Sequence, residues 1–149
     1  MLRLAHVLGA TVGLAACGGA PPDPVVDPTS TRLPDCPDSP NCVSSQADPT
    51  DDEHHTEPLS LHGDPETAVA RLQAVIESHE RTGISHASAR VLRATYTSRV
   101  FGFVDDVELR VDTSAGAVHI RSASRVGQDD IEANPERVER IRADWEATR

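Results

Sequence analysis

FVDDVELRVDTSAGAVHIRSASRV, residues 103–126, is the stretch that decides the fold. Val107, Leu109 and Val111 recur at every second position, and Val118 and Ile120 do the same further on. That period of two belongs to half-buried strands, and Thr113-Ser114-Ala115-Gly116 between the runs is built of turn formers. Phe103 to Val111 and Ala117 to Val126 therefore read as the arms of a β-hairpin. If the loop is tightest at Ser114-Ala115, paired residues have numbers summing to 229, so Val111 faces Val118 and Leu109 faces Ile120. Asp105 then shares the apolar face with Ser122 and Ser124, while Asp106, Glu108, Arg110 and Arg121 lie on the other. A carboxylate on the face meant for the core is costly unless it is paired or hydrogen-bonded, and this makes Asp105 the anomaly of the hairpin.

Working outward, Asp64-Pro65-Glu66 is a helix start, with a capping carboxylate, a proline at the first helical position and an acid in the first turn. Ala68, Val69, Leu72, Val75 and Ile76 make one face of a helix expected to end near His79, before Gly83. Residues 90–99 read as a strand through Val91, Leu92 and Tyr96, and a further strand is indicated near Leu59 and Leu61. Asn134-Pro135-Glu136 opens a second helix with Val138, Ile141 and Trp145 on one side. The expected fold is α+β, one small domain in the order helix, three-stranded antiparallel sheet, helix, with both helices on one face of the sheet.

The chain has 149 residues and a formal charge of -10, with every basic residue an arginine. Such a balance repels nucleic acid and anionic lipid headgroups. Only 3% of residues are aromatic, so the core falls to Val, Leu, Ile and Ala. Residues 1–16 place Arg3 before an apolar run from Leu4 to Ala16, too short to span a bilayer and ordered like a secretory signal. The segment ends in Leu14-Ala15-Ala16-Cys17, which resembles the lipobox of bacterial lipoproteins. That resemblance implies cleavage before Cys17, acylation of its thiol and stable membrane anchoring by more than one chain. Gly18 after the cysteine, by the same resemblance, favours an outer-membrane location facing the periplasm. Residues 17–34, rich in proline, read as an extended spacer, leaving 35–149 as the globular domain.

In an exported chain the pair in Cys36-Pro-Asp-Ser-Pro-Asn-Cys42 reads as a disulfide across a turn. The alternative, a metal site, would draw on His54 and His55 in the acidic loop Asp51-Asp52-Glu53. Adjacent histidines in such a loop are more often solvated than ligating, and no metal or other cofactor is expected.

Four runs in the same order, CPDSPNCVSS (Cys36 to Ser45), FGFVDDVELRV (Phe101 to Val111), IRSASRVGQDD (Ile120 to Asp130) and NPERVERIR (Asn134 to Arg142), resemble the family catalogued as domain of unknown function 1499. The resemblance covers roughly residues 33–145 and implies the fold and its limits, with no established activity. It extends to bacterial envelope and plant plastid proteins, and this chain departs from the pattern at Glu132, where glycine is usual.

Two readings of the polar residues stand side by side. Asp105 is either a structural carboxylate held by Ser122, Ser124, backbone amides or Arg125, or a general acid or ligand hook lining a pocket. Glu108 and Arg121 read as an exposed cross-strand ion pair. Arg125, Asp130, Asn134 and Arg137 either fix the loop to the last helix or form an anion site at its start. No exposed-serine turn motif and no Gly-rich phosphate loop occurs. The leading expectation is a noncatalytic envelope lipoprotein binding a partner protein or small ligand. The rivals are a small hydrolase or lyase using Asp105 with Arg121 or Arg125, and a periplasmic metal-binding protein using His54 and His55.

Overall fold

In the computed structural model, the described residues are 19–22, 27–127 and 132–148. They form a small α+β domain with two helices and one antiparallel sheet. The elements are β1 (Cys42–Ser44), β2 (Leu59–Ser60), α1 (Pro65–Glu77), β3 (Thr82–Ala87), β4 (Val91–Thr97), β5 (Val104–Asp112), β6 (Ala117–Ser124) and α2 (Ala133–Ala147). The sheet runs β1-β6-β5-β4-β3, and β2 joins β6 beside β1. The expected three strands are thus corrected to six, and α1 follows two short strands instead of opening the domain. β1 and β3 escape the pattern because three residues cannot alternate visibly and because TGISHA carries glycine, serine and histidine where apolar residues would mark a strand.

The hairpin of β5 and β6 has the expected register, from Asp105 opposite Ser124 to Asp112 opposite Ala117. Asp112 closes the turn, its Oδ1 accepting from the amides of Ser114 and Ala115 and from the Ser114 hydroxyl. These three donors hold its carboxyl below the ordinary range. In α1, Asp64 has extended backbone and accepts from the Thr67 amide at 3.0 Å, which satisfies one of the helix's orphan donors. The helix stops at Glu77, two residues short of His79. α2 starts one residue early, at Ala133, with Glu132 in the cap position making no side-chain capping bond. Asn134 is therefore released from capping and buried.

Apolar residues of both helices and of the strands meet in one core, Leu72, Ile76, Val138, Ile141 and Trp145 against Leu92, Val107, Leu109 and Ile120. α1 lies against β3, β4 and β5, and α2 against β6 and β1. Trp145 is fully buried, and its indole nitrogen donates to the Ser60 carbonyl at 2.9 Å. That bond ties α2 to β2.

The opposite face of the sheet is covered as well. Within the stretch expected as a spacer, residues 27–34 lie along the domain. Arg110 donates to the carbonyls of Asp27 and Ser30 at 3.0 and 2.7 Å. Gln46 clasps the same segment, accepting from the Leu33 amide and donating to the Thr31 carbonyl, each at 2.8 Å. Leu33 is buried. A chain without its own ladder partners has here found side-chain donors for its carbonyls. At one edge, β3 shifts register between Ile84 and His86, a bulge in its pairing with β4.

Candidate functional site

Strand alternation sends Asp105 and Asp106 to opposite faces, and each finds its own arginine. Asp105, 5% exposed, pairs with Arg137 of α2. The same guanidinium donates to Ser122 Oγ at 2.9 Å and Asn134 Oδ1 at 2.7 Å. Asn134 in turn donates to the Asn41 carbonyl and Ser124 Oγ, and accepts from Ser122 Oγ at 2.8 Å. Ser122, Ser124, Asn134 and Arg137 are therefore one connected network joining β6, α2 and the residue before β1 to Asp105. Every member has a partner, which is the condition for a buried polar network to be tolerated.

Asp106 faces the other way and meets Arg125 in a two-pronged pair of 2.7 and 2.8 Å. The carboxylate holds the Arg125 guanidinium more firmly charged than usual. Glu108 corrects the expected exposed pair with Arg121. Although Arg121 sits opposite it in the ladder, the Glu108 carboxylate binds Arg93 at 2.8 Å and Arg110 at 2.7 Å, and it is buried. The reason is tertiary: β4 brings Arg93 directly across from Glu108, and the covering segment excludes water. Arg121 reaches the Asp35 carbonyl at 3.4 Å, and burial pushes its guanidinium pKa down against the pull of Glu108 and Asp106.

A cleft of about 440 Å³ opens at the end of the sheet beside Asp105, lined by Tyr96, Arg81, Arg137, Arg140, Glu80 and Glu136 among others. Tyr96 forms its floor, with Arg137 over the ring at 4.9 Å and Arg140 at 5.9 Å. Its hydroxyl meets His79 Nδ1 at 2.9 Å, while His79 Nε2 meets Asp144 at 2.8 Å. Burial pushes the Tyr96 phenol up to about 12, so it stays protonated and serves as a hydrogen-bonding group, not a base. Arg81 takes φ 57 at the rim, which a tight α1–β3 connection requires of it.

Of the residues lining the cleft, the sequence singles out Asp105 and Arg137 and gives no signal for Glu80, Arg81 or Arg140. Tyr96 reads in the sequence only as an apolar strand residue, and His79, Arg140 and Asp144 carry no spacing that links them to Asp105.

The constellation of Asp105 with Arg121 or Arg125 is not assembled, because the sheet separates the acid from both arginines. His54 is buried and has both ring nitrogens engaged, Nδ1 on Asp51 at 2.9 Å and Nε2 on the Ser39 carbonyl at 3.2 Å. Burial opposes its charge, but the Asp51 carboxylate and the carbonyl outweigh that and raise its pKa. A ring that donates from both nitrogens has no lone pair for a metal. His55 instead faces the Ala47 carbonyl and Glu57. Among the described residues no group of three His, Cys, Asp or Glu side chains is arranged to hold a metal ion. Cys36 and Cys42 form a disulfide, with Cα atoms 5.7 Å apart. Cys17 and Asp130 lie outside the described residues.

The fold and cleft define a small α+β domain whose described polar residues are joined in networks of ion pairs and hydrogen bonds. The chain belongs to the family described as Protein of unknown function (DUF1499), which matches residues 32–145. No curated protein matches the chain.

Proposed function

We propose that the protein is a lipid-anchored envelope protein, attached through Cys17 on the periplasmic side of the outer membrane, and that its domain is a noncatalytic binding module. Its ligand is a small molecule bearing charges of both signs, received in the cleft between Tyr96, Glu136 and Arg140. The observation that carries this reading is the state of Arg140 and Glu136. Both line the cleft and neither makes a salt bridge among the described residues, whereas Asp105, Arg137, Glu80 and Arg81 are already paired there. Opposite charges without a salt-bridge partner, one of them resting on the Tyr96 side chain that floors the cleft, suit a zwitterion. The signal-like residues 1–16 and the lipobox-like sequence support the anchor. Among the described residues no helix is long and apolar enough to cross a membrane.

Calorimetric titration of the detergent-solubilised full chain with phosphoethanolamine and with glycine tests the ligand class, sodium phosphate serving as the single-charge control. Saturable heat from a zwitterion, lost in Arg140→Ala, is the expected result. Heat that persists in Arg140→Ala, or turnover of the probe, would overturn it. For the anchor, Cys17→Ser should leave the detergent phase in a Triton X-114 partition while the wild type enters it.

A further inference from the structure

The chain contains two phenylalanines, and neither is in the core. Phe101 is 70% exposed and Phe103 39%, and with Val100, 80% exposed, they are the exposed large hydrophobics among the described residues. All three sit on the loop between β4 and β5. The loop is built to hold them there. Its neck is closed by the Ser98 amide donating to the Phe103 carbonyl at 2.8 Å and the Phe103 amide donating to Ser98 Oγ at 2.9 Å. Gly102 supplies the positive φ of 67° that turns the chain back, and the two rings stack with centroids 5.4 Å apart. Apolar surface concentrated on one braced loop of a polar molecule marks a contact with an apolar phase.

The placement of the N-terminal segment identifies that phase. Gly19 packs against the strand end just past β6: a methyl group added to it would lie 2.7 Å from the Arg125 Cβ and 3.2 Å from Val126 Cγ1. Arg125 in turn donates its amide to the Val104 carbonyl, where the aromatic loop rejoins the sheet. Cys17 is two residues from Gly19, so the chain can carry it no more than about 7 Å away. At the far end of the hairpin, roughly 30 Å off along the nine residues of β5, the turn offers only Thr113, Ser114, Ala115 and Gly116.

We infer that Val100, Phe101 and Phe103 seat in the interface of the same bilayer that holds the lipid on Cys17, so that the domain stands end-on with its aromatic loop buried among the acyl chains. The inference rests on the anchor reading above. Lipid and loop then act as two linked contacts, and Arg99 at the loop's base reaches the headgroups while its stem follows the apolar residues inward. The cleft, which Ser98 also lines, opens at that membrane-facing end.

The test uses the lipidated full chain reconstituted in phosphatidylcholine vesicles containing lipid brominated near the top of the acyl chain. Phe101→Trp places an indole on the loop, and Ser114→Trp places one on the opposite turn. Trp145, buried in both, sets the background. The expected result is loss of emission in Phe101→Trp beyond that of the wild type, with none in Ser114→Trp. Val100→Trp repeats the measurement at a second exposed site in case the first variant folds poorly. Equal quenching at both ends overturns end-on seating, and so does an unquenched loop. A loop shielded in vesicles without brominated lipid, its emission shifting with protein concentration, would mean that a second copy covers it, and would overturn the proposal too. Detergent partition of the same samples separates the two readings. Wild-type chain in the detergent phase with an unquenched loop removes the seating alone, whereas wild type that stays aqueous removes the anchor and the seating with it.

Discussion

Replacing Asp105 by alanine leaves Arg137 with no carboxylate in a nearly closed site, where the side chains of the pair are 7% and 10% exposed. Breaking a fully buried pair from one side costs about 3–5 kcal/mol, because the surviving charge is stranded. Here Arg137 keeps its bonds to Ser122 and Asn134, keeps its place over Tyr96 and borders the cleft. Those compensations bring the expected cost to about 2–3 kcal/mol for Asp105→Ala and about 1 kcal/mol for Asp105→Asn, which retains an acceptor. Adding Arg137→Met removes the stranded charge, so the double variant should be more stable than the sum of the singles by about 1–2 kcal/mol. Trp145 is the single tryptophan and fully buried, so its emission reports the core in urea melts with the disulfide intact. With a slope near 1–1.5 kcal/mol per molar urea for a domain this size, Asp105→Ala should lower the midpoint by about 2 M. A change below about 0.5 kcal/mol, or strict additivity with Arg137→Met, would refute the claim that this pair organises the end of the sheet.

Asp106→Ala should cost about 1 kcal/mol in the same melts, more than an exposed carboxylate, because it dissolves a two-pronged arginine pair; a neutral result would make that pair ornamental. The raised pKa of His54 gives a pH signature of definite sign. Its stabilisation is complete below the ordinary value of 6.5 and fades as pH rises through the higher folded value, while Asp51, held below 3.8, keeps its charge throughout that window. Thermal melts should therefore show the deficit of His54→Gln largest below pH 6.5 and shrinking as the pH rises above it; a deficit that grows with pH would contradict it. Reduction of Cys36–Cys42 should lower stability by on the order of 2 kcal/mol, read as a midpoint shift on adding dithiothreitol; an unshifted midpoint would count against the bridge.

The hairpin could be read in advance because its two signals, alternation and turn chemistry, are local and agree on a register. Helix α1 was legible for the same reason, since Asp64 and Pro65 announce its start within one turn. The face of Asp105 followed from spacing, but its partner did not. Arg137 lies on the last helix, and only the docking of α2 against β6 sets it opposite Asp105. Glu108 shows the complementary failure. The covering of its face depends on main-chain carbonyls of Asp27 and Ser30 accepting from Arg110, and carbonyl groups are the same in every sequence. Tyr96 on β4, Asp144 on α2 and His79 in the connection from α1 to β3 are far apart in the chain, so no window along it contains their meeting.

The bulge between Ile84 and His86 bears on how such molecules behave when crowded. β3 is the free margin of the sheet, with a row of backbone donors and acceptors that another strand could match. An extra residue in that row puts the groups on either side out of step with any regular strand laid against them. At the other margin β1 and β2 are three and two residues long, and Ser45 fills the gap between them by accepting from the Ile120 amide through its hydroxyl. Neither border offers a long, straight template. Copies held at high density can therefore collide edge to edge without growing into a shared sheet.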